Sequence, residues 1–236
     1  SGISNSKKSD FNADLTKPNE TLETLDKIKP DLIINLVALT DVDKCERNPH
    51  LAYLFNILPT ENLCRWIKLS DNSCHLIQLS SDQVYNGEGP HDEHKLNICN
   101  HYGMSKLAAE YIAKTVSSTI LRTNFFGKSL SDSRYSLTDW LITALTKLDQ
   151  INVFNDVKFS PLSIITLCQY IELCTKVKPR GVFNLGSKNG MSKADFAYCF
   201  ANEVGLSSEN MKRISIYSIN KLVAKRPTDM RMNSRF

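Results

Sequence analysis

Short apolar runs rich in β-branched residues recur along this chain with longer segments of helical period between them, and no other feature limits the possible folds so strongly. The runs at residues 31–37, 75–81, 119–123, 151–154 and 182–185 are predicted strands. The intervening period predicts helices over 20–28, 49–69, 103–116, 138–148, 164–176 and 192–204. Strands that are apolar on both faces and alternate with helices make a sheet covered on both sides, so the expected fold is α/β with a doubly wound parallel sheet. From about Asn155 the alternation loosens, with a loop at 158–161, glycines at 186 and 190, and Pro227. The expected division is a sheet domain over residues 1–155 and a smaller C-terminal lobe over 156–236, with an approximate, interleaved boundary. The 236 residues, 42% of them hydrophobic, suffice for one substantial core and a small lobe.

In such a sheet ligands bind beyond the carboxyl ends of the strands. The segments there are Ala38-Leu39-Thr40-Asp41, Ser80-Ser81-Asp82-Gln83 and Asn124-Phe125-Phe126-Gly127, each with small, hydroxyl or amide residues. The central candidate is Tyr102-Gly-Met-Ser-Lys106, whose i, i+4 spacing puts a phenol and an ammonium on one helix face. The ammonium favours phenolate and lowers the tyrosine pKa toward working pH, as a general acid/base requires. Tyr217 and Lys221 have the same spacing but no partner strand, and we read that pair as accidental. Tyr102, by contrast, follows the strand ending in Ser80 and Ser81, where a hydroxyl can bind a carbonyl as hydride arrives. Residue by residue, the plainer reading is a strand end and a half-buried aromatic; taken together, the three point to a site.

Two weaker candidates accompany it. The strand leaving the core through Val37, Ala38 and Thr40 lets backbone approach a flat cofactor, and Asp14-Leu15 lies in a turn where a carboxylate can accept from an adenine amino group or form an Asx turn or helix cap. Ala224-Lys-Arg226-Pro227 is a basic turn suited to gripping phosphate through a guanidinium.

The formal charge of +4, from 29 basic and 25 acidic residues spread along the chain, does not imply nucleic acid. Residues 221–235 are the exception, with Lys221, Lys225, Arg226, Arg231 and Arg235 against Asp229, and suit either an anionic partner or a solvated end. Seven cysteines without a C-x-x-C pair read as reduced, buried thiols of a cytoplasmic protein. His91 and His94 lie in a polar loop and are expected to be solvated; no histidine has metal-ligand spacing with cysteine, so no metal is assigned. No apolar run approaches a membrane span, and the polar start lacks a signal peptide's hydrophobic region. Because the chain starts without methionine and almost directly at Phe11-Asn-Ala-Asp-Leu, residues ahead of Ser1 are expected.

The series Asn35-Leu-Val-Ala-Leu-Thr-Asp-Val-Asp-Lys-Cys-Glu46, Asn56, Ser80-Ser-Asp-Gln-Val-Tyr-Asn-Gly87, Tyr102-Gly-Met-Ser-Lys-Leu-Ala-Ala-Glu110, Leu121-Arg-Thr-Asn-Phe-Phe-Gly127 and Lys225-Arg-Pro227 resembles the extended short-chain dehydrogenase/reductases of the dTDP-4-dehydrorhamnose reductase family. The order and spacing hold across nearly the whole chain. The resemblance implies a Rossmann-like NAD(P)-binding domain and reduction of a 4-keto sugar nucleotide by NADPH or NADH. It makes Tyr102 the proton donor, Lys106 the residue that holds the nicotinamide ribose and tunes the tyrosine, and Ser81 the hydroxyl on the reacting carbonyl. Asp14, Leu15, Val37, Ala38 and Thr40 would line the dinucleotide. Asp82, Gln83, Phe125 and Arg226 would face the substrate.

Two departures stand out. The family's first strand and Gly-rich turn, which seat the pyrophosphate and choose between NAD and NADP, do not appear in this sequence. Gln83 stands where the reductases usually carry tyrosine and related dehydratases a glutamate base, which disfavours dehydration. The rival readings are a redox-neutral sugar-nucleotide epimerase and a non-catalytic subunit like the regulatory subunit of methionine adenosyltransferase. A homodimer is expected by analogy alone.

Overall fold

The computed structural model describes residues 2–4, 9–70, 73–130 and 135–234; most of the polar start, and Arg235 of the basic tail, lie outside the described residues. In chain order the first elements are β1 (Ile3–Ser4), β2 (Phe11–Asn12), α1 (Pro18–Ile28), β3 (Leu32–Asn35), α2 (Val42–Arg47), α3 (Pro49–Ala52) and α4 (Leu58–Leu69). Then come β4 (His75–Ser81), α5 (His101–Ala113), β5 (Ser118–Thr123), β6 (Phe125–Phe126), α6 (Leu137–Thr146), β7 (Ile151–Phe154), β8 (Lys158–Phe159) and β9 (Leu162–Ser163). The last are α7 (Ile164–Val177), β10 (Gly181–Leu185), β11 (Met191–Ser192), α8 (Lys193–Glu203) and β12 (Met211–Ile214).

The chain forms two compact units. One comprises Ser1–Ser81, Cys99–Leu121 and Ile171–Phe183, the other Asp82–Ile98, Arg122–Tyr170 and Asn184–Phe236. This is more finely interleaved than the division at 155/156 expected from the loosening alternation. The chain leaves the first unit directly beyond Ser81 and again within β5, and returns each time, so the change in pattern at Asn155 marks no boundary.

The sheet has the order β10-β5-β4-β3, with β3 and β4 parallel and Leu32 opposite His75 through Asn35 opposite Gln78. β5 is buried at every residue and β4 at all but one, as the continuous apolar runs require of central strands. In the first unit Leu25, Leu63, Trp66, Leu76, Ala113 and Ile120 build the core. Polar groups inside it are paired: Asn35 Nδ2 donates to Gln78 Oε1 at 2.8 Å and Thr60 Oγ1 at 3.2 Å, and Trp66 Nε1 donates to Asp26 Oδ1 at 2.8 Å. His75 lies between Ser117 Oγ and Thr119 Oγ1, and burial, then Lys178 and Arg180, lower its pKa.

The helix expected over 49–69 is interrupted by five residues of π-helix, Tyr53–Ile57, ahead of Pro59. Proline has no N–H to continue the regular ladder, and the wide turn it accompanies carries a buried Asn56. In the second unit, β7 does not join the main sheet, contrary to the expectation for residues 151–154. It pairs in parallel with β12, from Ile151 opposite Met211 through Phe154 opposite Ile214. The partner strand was not predicted, because Lys212 and Arg213 are exposed and hide its period. Leu141, Leu145, Val153, Phe159, Phe196 and Met230 form this unit's core, with Phe196 edge-on to Phe126 and Phe159.

Candidate active site

Local chemistry sets where α5 starts. The Asn100 side chain caps it by accepting from Gly103 N at 2.8 Å, and Glu46, at the end of α2, accepts from His101 N at 2.9 Å. Tyr102 and Lys106 therefore lie one turn apart on one face of a fixed helix. The Tyr102 ring, 8% exposed, belongs to a cluster with Cys45 and Ala52, flanked by Leu39 and Val42. Lys106 is buried, and its Nζ donates to the Leu79 carbonyl of β4 at 2.8 Å. Burial pulls the Lys106 pKa down to about 8 against the opposing charge of Glu110. Glu110, a further turn along, is wholly buried and accepts from Ser80 Oγ at 2.5 Å. Of the two serines that end β4, then, Ser80 is committed to Glu110, and Ser81, also buried, is the last residue of the strand.

The segment after β3 is held from below. Asn35 Oδ1 accepts from Val37 N at 3.1 Å, and Asn56 Oδ1 accepts from Leu39 N at 2.6 Å. Asn56 Nδ2 donates to Leu39 O at 3.2 Å and Ser105 Oγ at 2.8 Å, and Ser105 Oγ donates to Tyr102 O at 2.7 Å. One amide on the π turn thus ties the backbone around Val37, Ala38 and Thr40 to the helix that carries Tyr102. Asn56→Ala is expected to cost about 2–4 kcal/mol, since it strands several buried groups. At ~2–4 °C per kcal/mol for a chain of this size, the thermal unfolding midpoint should fall by roughly 4–16 °C; an unchanged midpoint would show that the amide bears no such load.

Asp14 takes up the turn that its residue type allowed as an alternative to adenine binding: Oδ1 accepts from Thr16 N at 3.0 Å and Thr16 Oγ1 at 2.7 Å, and these bonds lower its pKa. The Leu15 carbonyl accepts from Asn62 Nδ2 at 2.8 Å.

In the second unit, Asp82 and Gln83 lie in one turn of 3₁₀-helix directly beyond Ser81, and Asn124 Nδ2 donates to Asp82 Oδ2 at 2.7 Å. Phe125, half exposed, is in β6, paired with Leu162. Arg226 is partly buried, its Nη1 donating to Ala224 O at 3.3 Å, and lies within electrostatic reach of Lys193. The structure thus groups Ser81, Tyr102, Lys106 and the 37–40 segment in one unit, and Asp82 and Arg226 around Lys193 in the other. Asn56 and Glu110 were quoted in the sequence without a role, and Lys193 went unremarked. The i+4 spacing of Glu110 from Lys106 was the available signal for the second; Lys193 had none.

Two expectations are corrected. His91 is buried, not solvated: it stacks on Tyr85 with centroids 5.0 Å apart, and its Nε2 is 2.9 Å from Asp229 O. Cys168 and Cys199 are exposed thiols on α7 and α8, while Cys45, Cys64, Cys74 and Cys174 are buried. In the basic tail, the Asp229 carboxylate is gripped by Arg231 through Nε and Nη2, the shorter contact 2.7 Å. Tyr217, the accidental pair's tyrosine, is 76% exposed. Among the described residues no His, Cys, Asp and Glu group could hold a metal ion, and no helix is long and apolar enough to cross a membrane.

Residues 2–235 match the family model described as the RmlD substrate binding domain. A probable low-salt glycan biosynthesis reductase, Agl14 of Haloferax volcanii, is 27% identical over 199 residues, covering 81% of this chain and 66% of that protein. The dTDP-4-dehydrorhamnose reductase of Sinorhizobium fredii is 25% identical over 233 residues, covering 94% and 78%. The crystal structure of dTDP-4-dehydrorhamnose reductase from Bacillus anthracis in complex with NADP superposes with a TM-score of 0.86 at 24% identity, covering 94% of this chain and 79% of that one; the likeness is one of fold. The α/β architecture with its parallel sheet is therefore shared with that structure.

Proposed function

This chain belongs to the RmlD substrate binding domain family, and from that premise we propose that it reduces a 4-keto sugar nucleotide with hydride from NADPH or NADH. The observation that carries the reading is the buried Tyr102 and Lys106 pair on α5, with Lys106 Nζ on the backbone carbonyl that directly precedes Ser80 and Ser81. The reductases and glycan enzymes among its relatives agree with it.

The residues present fit the nicotinamide end of such a cofactor. Lys106 spends one donor on Leu79 O, and an ammonium has three, so two remain for ribose hydroxyls. Leu36 and Val37, 62% and 36% exposed, offer apolar surface beside a backbone that Asn35 and Asn56 hold still. Asp14 keeps its turn.

Bound NADPH or NADH would supply the hydride. The chain's own part is acid catalysis and placement. Ser81 would donate to the ketone oxygen and polarise it. Tyr102 would pass its phenolic proton to that oxygen as negative charge develops there. Lys106, positive below about pH 8, would lower the cost of the resulting phenolate and grip the ribose. Gln83, an amide, cannot take a proton as a carboxylate base would, which keeps the chemistry at reduction. Asp82, Phe125 and Arg226 would bind the sugar nucleotide, and Val37, Ala38, Thr40, Asp14 and Leu15 the dinucleotide. We place the enzyme in the cytoplasm, where nucleotide sugars are made, as a homodimer feeding polysaccharide synthesis.

The test is loss of reduced-cofactor absorbance on addition of 4-keto sugar nucleotides to the full-length protein. Stoichiometric oxidation with one of them is the expected result. Cofactor binding with interconversion of sugars and no net oxidation would replace the reading with epimerisation; binding to a protein partner without any turnover would replace it with the regulatory one.

A further inference from the structure

We propose that Lys193, with Arg226, is the cationic seat of the substrate's diphosphate, an assignment that rests on the sugar-nucleotide reading above. Lys193 is the first residue of α8, where Ser192 caps the helix by accepting from Asp195 N at 2.9 Å and Lys193 N donates to Val157 O at 2.8 Å. Its backbone is therefore fixed. Its ammonium lies over the ring of Phe159, 4.9 Å from the centroid, and Phe159 is itself 1% exposed in the core.

What this ammonium lacks is an acceptor. Among the described residues the partly buried Lys193 makes no side-chain hydrogen bond and no ion pair, whereas the buried Lys106 has the Leu79 carbonyl. The charges that reach Lys193 are Asp82, 1% exposed, and Arg226. Asp82 is already engaged by Asn124 at 2.7 Å. Burial depresses the Lys193 pKa, as expected of a cation withdrawn from water without full compensation.

An ammonium with three unspent donors calls for clustered oxygen acceptors. A diphosphate supplies such acceptors together with negative charge, and it is the anionic group of nucleoside-diphosphate sugars. Chain continuity ties the cluster to the other expected substrate contact, since Asp82 follows Ser81 directly. Arg226 then adds planar, forked donors to the point charge of Lys193, the two ways proteins hold phosphate. The aromatic ring beneath keeps the ammonium aimed without satisfying it. Such an unsatisfied group costs stability, which is tolerated where binding repays it.

The experiment is calorimetric titration of the protein with a nucleoside diphosphate and with the corresponding nucleoside, for wild type, Lys193→Met and Lys193→Arg. Loss of one charge-assisted contact predicts that Lys193→Met weakens nucleoside diphosphate binding by about 10- to 100-fold. Lys193→Arg should recover most of it, and the methionine variant's thermal midpoint should not fall. Nucleoside diphosphate affinity unchanged in Lys193→Met, or no binding of any nucleoside diphosphate by wild type, overturns the assignment. If binding depends on Lys193 but no 4-keto sugar nucleotide drives cofactor oxidation, the reductase reading fails and the diphosphate seat stands.

Discussion

Tyr102→Phe is expected to lower kcat by about 10²–10⁴-fold with little change in the affinity for reduced cofactor. The substitution keeps the ring, and with it the packing against Cys45 and Ala52 that Leu39 and Val42 flank. The bonds that fix the start of α5 do not involve the phenol: Asn100 holds Gly103 N, Glu46 holds His101 N, and Ser105 reaches the Tyr102 carbonyl. The change therefore removes a proton donor and leaves its scaffold. Single-turnover rates with the 4-keto substrate, beside cofactor titration and thermal unfolding, separate chemistry from binding and folding. A variant that retains a third or more of the wild-type rate would show that the proton comes from elsewhere. One that loses cofactor affinity and activity together would point to a disturbed helix start, and Asn56→Ala is the control for that, since it loosens the same helix without touching the phenol.

The elements of strongest period were legible in the sequence. Residues 75–81 and 151–154 have in the structure the bounds that the sequence predicts, because a short, largely apolar run between polar segments has few other uses. Placement was less legible than existence: β7 looks like a sheet strand in isolation, and its pairing with β12 depends on Met211–Ile214, whose central Lys and Arg conceal it. Interleaving of the two units was expected, but the crossing points were not legible, since a strand such as β5 can begin in one unit and end in the other without any change of local pattern. At the candidate site, positions on an element could be read: Tyr102 and Lys106 one turn apart on a helix, Ser81 at a strand end. Residues that act through buried partners could not. Glu110 looks like any polar residue of an amphipathic helix, and only the fold brings Ser80 to it. Lys193 looks like a solvated helix-start lysine, and only the fold puts Phe159 beneath it. His91 went the other way, because a histidine among Asp92, Glu93 and His94 reads as surface until Tyr85 is found stacked upon it.

Glu110 supports the last prediction, which concerns pH. The Lys106 pKa is brought down to about 8 by burial, while the charge of Glu110 acts to raise it. If catalysis needs the ammonium, kcat/KM of the free enzyme should fall as pH rises through about 8. Glu110→Gln removes the supporting charge but keeps an acceptor for Ser80 Oγ, so the fall should move to lower pH and activity at neutrality should drop with it. Stability follows the opposite sign. The folded pKa lies below a lysine's ordinary 10.5, so between the two the unfolded chain binds more protons and this group's contribution to stability grows as pH rises. Comparing wild type with Lys106→Met isolates that contribution from the buried thiols, whose raised pKa values act in the reverse direction over the same alkaline range. Activity that declines while the Lys106-dependent stability increases identifies titration of a catalytic cation. Activity and stability declining together would identify unfolding instead, and an alkaline limb unmoved in Glu110→Gln would separate Glu110 from the chemistry altogether.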